Sequence, residues 1–144
     1  MSQQWVPHPV EKVFSFFSDE KNLEILTPPW LQFKVLQKST PQIEEGTLID
    51  YRLKLKNIPF KWQSKIIDWV PNEKFVDTQT KGPYQYWHHT HTFEPLRNGT
   101  LMVDRILYRV PLKAFGDLLT SHQVSKDIKK IFQYRKEKIE EIFR

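Results

Sequence analysis

The segment that follows Gly46 alternates apolar and charged side chains with a period of two residues, a pattern typical of a half-buried β-strand. Its apolar members share one face, namely Ile49, Tyr51, Leu53 and Leu55. Strand-like segments follow at residues 62–66, 74–81, 87–93 and 101–109. Turn signals separate them, such as Asn57-Ile58-Pro59, Pro71-Asn72 and Asn98-Gly99. The sequence therefore predicts a long antiparallel sheet with one buried face.

The residues that precede this sheet predict a strand at 3–7, then two short helices and another strand at 33–38. Pro9 opens the first helix, whose apolar side chains recur at helical spacing: Val10, Val13, Phe14 and Phe17. The second helix covers residues 19–26 and ends at Thr27-Pro28-Pro29, because proline cannot continue the hydrogen-bond ladder. We expect this proline segment to form a rigid turn with Trp30 packed over it.

After the sheet, from about residue 113, the period of the apolar residues changes from two to three or four. The residues that recur at this spacing are Val124, Ile128, Ile131, Phe132, Ile139, Ile142 and Phe143. They predict one long amphipathic helix. Two short helices, about six further strands and a final long helix indicate an α+β fold, in one domain over residues 1–144. In such a fold the sheet can curl around the last helix and leave a cavity.

Composition narrows the classes of protein that the chain can belong to. It contains no cysteine, which excludes disulfides and thiolate metal sites and fits a reducing compartment. No apolar run approaches the roughly 18 residues of a membrane-spanning helix. The first five residues show no basic region followed by an apolar stretch, as a signal peptide would. We therefore expect a cytoplasmic protein without stable membrane insertion.

The net charge of +5 arises mainly from the C-terminal segment, where basic residues, Arg135 among them, alternate with acidic ones. Interleaved charges of this kind are typical of a solvated helix face. None of the common nucleic-acid signatures is present, so we expect no nucleic-acid partner. The oligomeric state is not predicted.

Residues 82–93 form the most informative stretch, because they place two histidines on an apolar face. Side chains alternate faces in a strand, so Trp87, His89, His91 and Phe93 point to one side. Trp87 and Phe93 are the members of this face with the strongest tendency to be buried, which predicts that this face points inward. Buried imidazoles need hydrogen-bond partners, and a site that supplies partners can also bind a ligand.

The following strand offers a carboxylate, Asp104. In this strand, the residues that we expect to face the interior are Met102, Asp104, Ile106 and Tyr108. If the hairpin loop is Arg97-Asn98, Asp104 lies opposite His91; if the turn is Asn98-Gly99, Asp104 faces Phe93 and His91 is one diagonal step away. Both registers bring Asp104 within cross-strand reach of an imidazole.

Several roles are open to His89 and His91 at this point. They can be core imidazoles bonded to Asp104, Tyr108 or the backbone, or they can anchor the polar end of a ligand. A His-x-His pair with one carboxylate can also hold iron or zinc. A His–Asp dyad can act as a general base. Tyr51, Trp62, Trp87 and Phe93 can be core residues or cavity wall, and the orientation of Asp77 and Gln79 is open.

The chain resembles the START-like superfamily, also called SRPBCC or Bet v 1-like, which includes polyketide cyclases and dehydrases and lipid carriers. Within it the chain is similar to the bacterial ligand-binding SRPBCC domains. The residues that carry the resemblance span nearly the whole chain: Thr27-Pro28-Pro29-Trp30-Leu31 with Phe33; Ile58-Pro59 with Trp62; Phe75-Val76-Asp77 with Gln79; Gly82-Pro83-Tyr84 with Trp87, His89, His91 and Phe93; Thr100 with Asp104, Tyr108 and Pro111; and Ile131-Phe132 with Tyr134-Arg135.

The resemblance implies a helix-grip fold: a seven-stranded antiparallel sheet curled around the C-terminal helix, with an internal cavity. We expect the protein to bind a small apolar or aromatic molecule there, as a carrier, sensor or chaperone for a lipid-, quinone- or polyketide-like ligand. The expected ligand-binding residues are Tyr51, Trp62, Trp87, His89, His91, Phe93, Asp104 and Tyr108, with no metal and no cofactor. The alternative is a cyclase or dehydratase that uses His89 or His91 as general base together with Asp104.

Overall fold

The computed structural model describes residues 1–111 and 121–144. The strands are β1 Ser2–Val6, β2 Lys34–Lys38, β3 Leu48–Leu55, β4 Ile58–Val70, β5 Lys74–Lys81, β6 Tyr86–Leu96 and β7 Gly99–Arg109. The helices are α1 Val10–Phe17, α2 Asn22–Leu26 and α3 Ser121–Ile142, and a short 3-10 helix covers Pro29–Leu31. The predicted element order is therefore confirmed.

In the described part of the chain, the strands form one antiparallel sheet of seven strands in the order β1-β7-β6-β5-β4-β3-β2. Helix α3 lies along the inner face, where Val124 and Ile139 are buried. This is the predicted α+β helix-grip arrangement. None of the described helices is both long and apolar enough to cross a bilayer.

An aromatic core joins helix α1 to the inner face of the sheet. Phe14 and Phe17 project from α1 at helical spacing and meet Phe93, with ring centroids 5.2 and 5.6 Å apart. Phe14 also contacts Phe75 of β5 at 6.2 Å. Edge-on aromatic pairs of this kind add to the free energy gained by burying apolar area. The core therefore fixes α1 against β5 and β6.

The β6–β7 hairpin fixes the register on which the candidate site depends. Arg97 and Asn98 form its two-residue loop and have φ of 51° and 61°, as a type I′ turn requires. The register therefore places His91 opposite Asp104, which is the first of the two predicted alternatives.

Two predicted element boundaries need correction. The β3–β4 turn is Lys56-Asn57, both with positive φ, so Ile58 and Pro59 are strand residues. Pro59 is tolerated in β4 because β5 pairs with that strand only from Gln63 onward, which leaves one side of Pro59 without a neighbouring strand. The second helix begins at Asn22 rather than residue 19.

The prediction that Trp30 packs over the proline turn needs correction as well, because 55% of the residue is exposed. Its ring makes an edge contact with Tyr134 of α3 at 6.0 Å. The predicted start of the last helix, near residue 113, falls outside the described residues.

Gly99 provides a test of how the edge strand β1 packs against β7. A Cβ built at this position would lie 2.3 Å from the Val6 carbonyl oxygen and 2.6 Å from the Trp5 ring. Because the backbone of β1 cannot yield without breaking its pairing with β7, we expect Gly99→Ala to destabilise the protein by about 1–3 kcal/mol. Equilibrium urea unfolding measures the loss.

The comparison variant is Gly46→Ala, where φ is +93° and nothing lies within 4 Å of the added carbon. It should cost only the backbone strain, about 1 kcal/mol. An unchanged free energy of unfolding for Gly99→Ala would contradict this account of the β1–β7 contact.

Candidate functional site

A cavity of about 200 Å³ lies between the inner face of the sheet and α3. Most of its wall is apolar, including Leu53, Leu55, Trp62, Trp87, Ile128 and Ile131. The alternation of β3, β4 and β6 directs these side chains inward, and the helical stripe of α3 covers them. The protein therefore has the internal cavity that the sequence predicted.

The structure brings five of the eight predicted site residues into this wall: Tyr51, Trp62, Trp87, His89 and His91. Phe93 instead packs against α1, and Tyr108 lies behind Trp87 with ring centroids 6.2 Å apart. Asp104 lies behind the two histidines and contacts both. The role of these eight residues in binding a ligand stays a prediction.

The two residues whose orientation was open differ in the structure. Asp77 belongs to the cavity wall. Gln79 holds the β5–β6 turn instead: its Nε2 donates to the Tyr84 carbonyl at 2.7 Å, and its Oε1 accepts from the Tyr84 amide at 3.1 Å.

His91 lies between two carboxylates. Its Nε2 donates to Asp77 Oδ2 at 2.8 Å, and its Nδ1 is 3.1 Å from Asp104 Oδ1. The second contact is close enough for an ion pair but too bent for a good hydrogen bond. A carboxylate at each ring nitrogen favours the doubly protonated, cationic form of His91.

His89 has a different environment, because its Nε2 is 2.9 Å from Asp104 Oδ1 and its ring stacks on His91 at a centroid distance of 3.6 Å. Donation from Nε2 to the carboxylate fixes the tautomer of neutral His89, so Nδ1 carries the lone pair. His89 therefore offers a hydrogen-bond acceptor within the cavity wall.

Arg135 of α3 completes the cluster from the opposite side. Its Nη2 lies 3.5 Å from Asp104 Oδ1, and only 8% of the residue is exposed. The guanidinium stacks on Phe17 at 5.1 Å, while its Nε is buried without a partner in the described residues. The prediction that Arg135 belongs to a solvated helix face is therefore wrong.

The sequence did contain a signal for this burial. Arg135 follows Phe132 by three residues and precedes Ile139 by four, so it belongs to the apolar stripe of α3. An arginine within such a stripe indicates a buried cation, which needs an acid from another element.

The charges of the cluster balance when Asp77 and Asp104 are ionised, Arg135 and His91 are cationic and His89 is neutral. Burial opposes ionisation of Asp104, but Arg135 and the hydrogen bond from His89 lower its pKa to well below the ordinary 3.8. Burial likewise opposes ionisation of Asp77, yet its hydrogen bond with His91 lowers its pKa. Balance of this kind makes three buried charges and one partly buried charge tolerable.

The two imidazoles have pKa values shifted in opposite directions. Burial lowers the pKa of His89, and repulsion from cationic His91 lowers it further. Burial also disfavours the cationic form of His91, but its contacts with Asp104 and Asp77 outweigh this and raise its pKa above 6.5. Stacked histidines avoid carrying two adjacent positive charges.

Three of these residues could hold a divalent metal ion: ligand atoms of Asp77, His89 and His91 lie within 4.8 Å of one another. To ligate a metal, His91 would have to release a proton and one of its two carboxylate contacts. In the structure, atoms of the same three residues form ion pairs with one another and with Asp104. The expectation that no metal is bound stays a prediction.

Removing the charge of Asp104 tests the cluster as a unit. We expect Asp104→Asn to destabilise the protein by about 3–5 kcal/mol, because it leaves Arg135 and His91 buried with one carboxylate fewer. Asp68→Asn is the matched control, since Asp68 is 37% exposed and pairs with Lys74 at the surface. Equal losses in equilibrium unfolding would disprove the coupling.

The opposite pKa shifts can be measured by NMR titration of the imidazole resonances. We expect His91 to titrate above pH 6.5 and His89 below it. The contribution of His91 to stability is complete below its unfolded pKa and is lost as pH rises through the folded one. The contributions of Asp77 and Asp104 are present above pH 3.8 and are lost as pH falls through the folded values. The reverse order of the two histidines would refute the assigned tautomers.

Comparison with known proteins agrees with this architecture. Residues 6–130 match the family model described as polyketide cyclase / dehydrase and lipid transport. A search of curated proteins found no match.

Solved structures share the fold at low sequence identity. A Thermus thermophilus protein is 22% identical, with a TM-score of 0.70 over 97% of this chain and 92% of that one. A START superfamily protein from Mycobacterium smegmatis is 14% identical, with a TM-score of 0.71 over 99% and 94%. The major latex-like protein 151 of Panax ginseng is 9% identical, with a TM-score of 0.68 over 99% and 94%.

The family match covers most of the chain, and the sheet, the long helix and the cavity between them agree with it. The chain therefore belongs to the polyketide cyclase / dehydrase and lipid transport family of the START-like, SRPBCC superfamily, whose members typically bind hydrophobic ligands.

Proposed function

We propose that the protein binds a small, mainly apolar molecule in the cavity beneath α3 and releases it unchanged, as a carrier, sensor or chaperone. The observation that supports this is a cavity of about 200 Å³ with an apolar wall and one charged end. An apolar cavity of about 150 Å³ is large enough to hold benzene. The volume therefore suits a ligand portion of one or two rings, or a short segment of a lipid-, quinone- or polyketide-like molecule.

The aromatic part of the wall adjoins the charged cluster along β6. Trp62 and Trp87 meet edge to face at 5.2 Å, and Tyr84 packs 5.0 Å from Trp87. Trp62 Nε1 donates to Ser64 Oγ at 3.0 Å, so its polar atom has a partner within the protein. These rings offer flat apolar contacts, which favours an aromatic or conjugated ligand.

The charged end supplies the groups that would orient such a ligand. Neutral His89 keeps an acceptor at Nδ1, and Arg135 makes one long contact with Asp104 while its buried Nε has no partner in the described residues. A ligand hydroxyl could donate to His89 and accept from the guanidinium of Arg135, since both residues lie in the cavity wall.

The second candidate is an enzyme of the cyclase or dehydratase type. His89 is the better general base of the two histidines, because it stays neutral and Asp104 orients it. His91 has a carboxylate at each nitrogen, which removes the free lone pair that a base needs. An enzyme would consume its ligand, so recovery of the ligand separates the two functions.

A matched pair of probes tests the cavity and its polar end together. We expect both naphthalene and 2-naphthol to raise the melting temperature. At a hundredfold excess over Kd, binding should increase the free energy of unfolding by about 2.7 kcal/mol. 2-Naphthol should bind more tightly, and Arg135→Met should remove most of that advantage. Mass spectrometry should recover both probes unchanged; conversion of either one would favour the enzyme.

The control for binding in the cavity is a pair of leucine variants. Leu55→Trp should fill part of the cavity and weaken both probes at least tenfold, since Leu55 lies in its wall. Leu107→Trp adds the same ring at a position that is 55% exposed and should change neither affinity. Equal affinities for the two variants would place the probes outside the cavity and refute the proposal.

A further inference from the structure

The outward face of β2, β3 and β4 carries a row of positive charges. Lys34 lies opposite Arg52, and Arg52 lies opposite Lys61, so three cations adjoin one another across three strands. Lys54 and Lys65 follow on the same face by strand alternation. Like charges directly opposite one another destabilise a sheet. Fold stability therefore gives no reason for this row.

The acidic residue at the neighbouring register position, Asp50, offsets only one of the five positive charges. Its Oδ2 accepts from Gln37 Nε2 and its Oδ1 from Gln63 Nε2, each at 2.9 Å, and it forms no ion pair with a cation of the row. Within residues 1–111 and 121–144, none of the five cations forms an ion pair. The positive charge of this face is therefore available to an external partner.

The shape and composition of this face favour a flat anionic partner. The row spans three neighbouring strands, which is wider than the two-stranded ribbon that a DNA groove admits. The outward positions around it hold no aromatic ring on which a base could stack. Leu36 and Ile67 lie at irregularities of β2 and β4 beside the row and are 48% and 40% exposed. Basic residues with exposed aliphatic side chains are typical of a membrane-surface contact.

We propose that this cationic face, formed by Lys34, Arg52, Lys54, Lys61 and Lys65, docks on the surface of an anionic lipid bilayer. The contact is peripheral and reversible, since it rests on surface charge and two aliphatic side chains. The inner side of β3 and β4 forms part of the cavity wall. Docking therefore places the cavity one strand layer away from the lipid surface. The proposal does not depend on which ligand the cavity holds.

Sedimentation with lipid vesicles tests the proposal. We expect the protein to bind vesicles of phosphatidylcholine with about 30 mol% phosphatidylserine and to leave vesicles of phosphatidylcholine alone in suspension. Raising NaCl from about 50 to about 300 mM should weaken binding at least tenfold, because salt screens surface charge. Equal binding to both kinds of vesicle would overturn the proposal.

Two double variants with the same change in net charge locate the contact. Arg52→Glu with Lys61→Glu should weaken binding to the anionic vesicles at least tenfold. Arg105→Glu with Arg109→Glu reverses two exposed charges on the outward face of β7 and should change it less than twofold. Equal losses would mean that net charge alone drives binding, and the proposed face would be wrong.

Two further measurements separate a loss of vesicle binding from misfolding and from changes in the cavity. Circular dichroism establishes that the variants fold; if the Arg52/Lys61 reversal does not, Lys34→Gln with Lys61→Gln should still weaken binding about threefold or more. Binding of 2-naphthol reports separately on the cavity, so its loss or retention does not affect the vesicle result. Tighter binding to a DNA duplex than to anionic vesicles, with loss in the Arg52/Lys61 variant, would assign the face to nucleic acid and overturn the bilayer as partner.

Discussion

The contact between Arg135 and Asp104 is the constraint on which the interior depends, because it joins α3 to the sheet through charge. A buried carboxylate without a cation would be strongly destabilising, and so would a buried guanidinium without an acid. Each group therefore stabilises the other, and the pair favours the position of α3 that brings them together. His91 then places the second positive charge between Asp104 and Asp77.

Much of this architecture could be predicted from the alternation of residues, but the hairpin register could not. Asn98-Gly99 is the stronger turn signal by composition, yet Arg97-Asn98 forms the loop. Gly99 instead serves the packing of β1, since the Val6 carbonyl leaves no room for a side chain there. The local signal was misleading because a distant strand, rather than the turn, requires the glycine.

The candidate site was predicted in part for a related reason. The period of two placed His89 and His91 on the inner face, and the hairpin brought Asp104 to them. Asp77 and Arg135 come from β5 and α3, whose positions relative to β6 follow from tertiary packing. The inward stripe of α3 did indicate that Arg135 is buried, whereas the identity of its acid partner could not be read from spacing within one element.

The pairing of β1 with β7 bears on how the protein folds. Ser2 lies opposite Asp104, and Arg135 reaches the same carboxylate from the last helix, so the centre of the molecule joins segments from both ends of the chain. Contacts of such long sequence separation form slowly, because a large loop must close before they contribute. The polar cluster should therefore be among the last regions to become ordered, and partly folded chains would expose the cavity wall before its charges are paired.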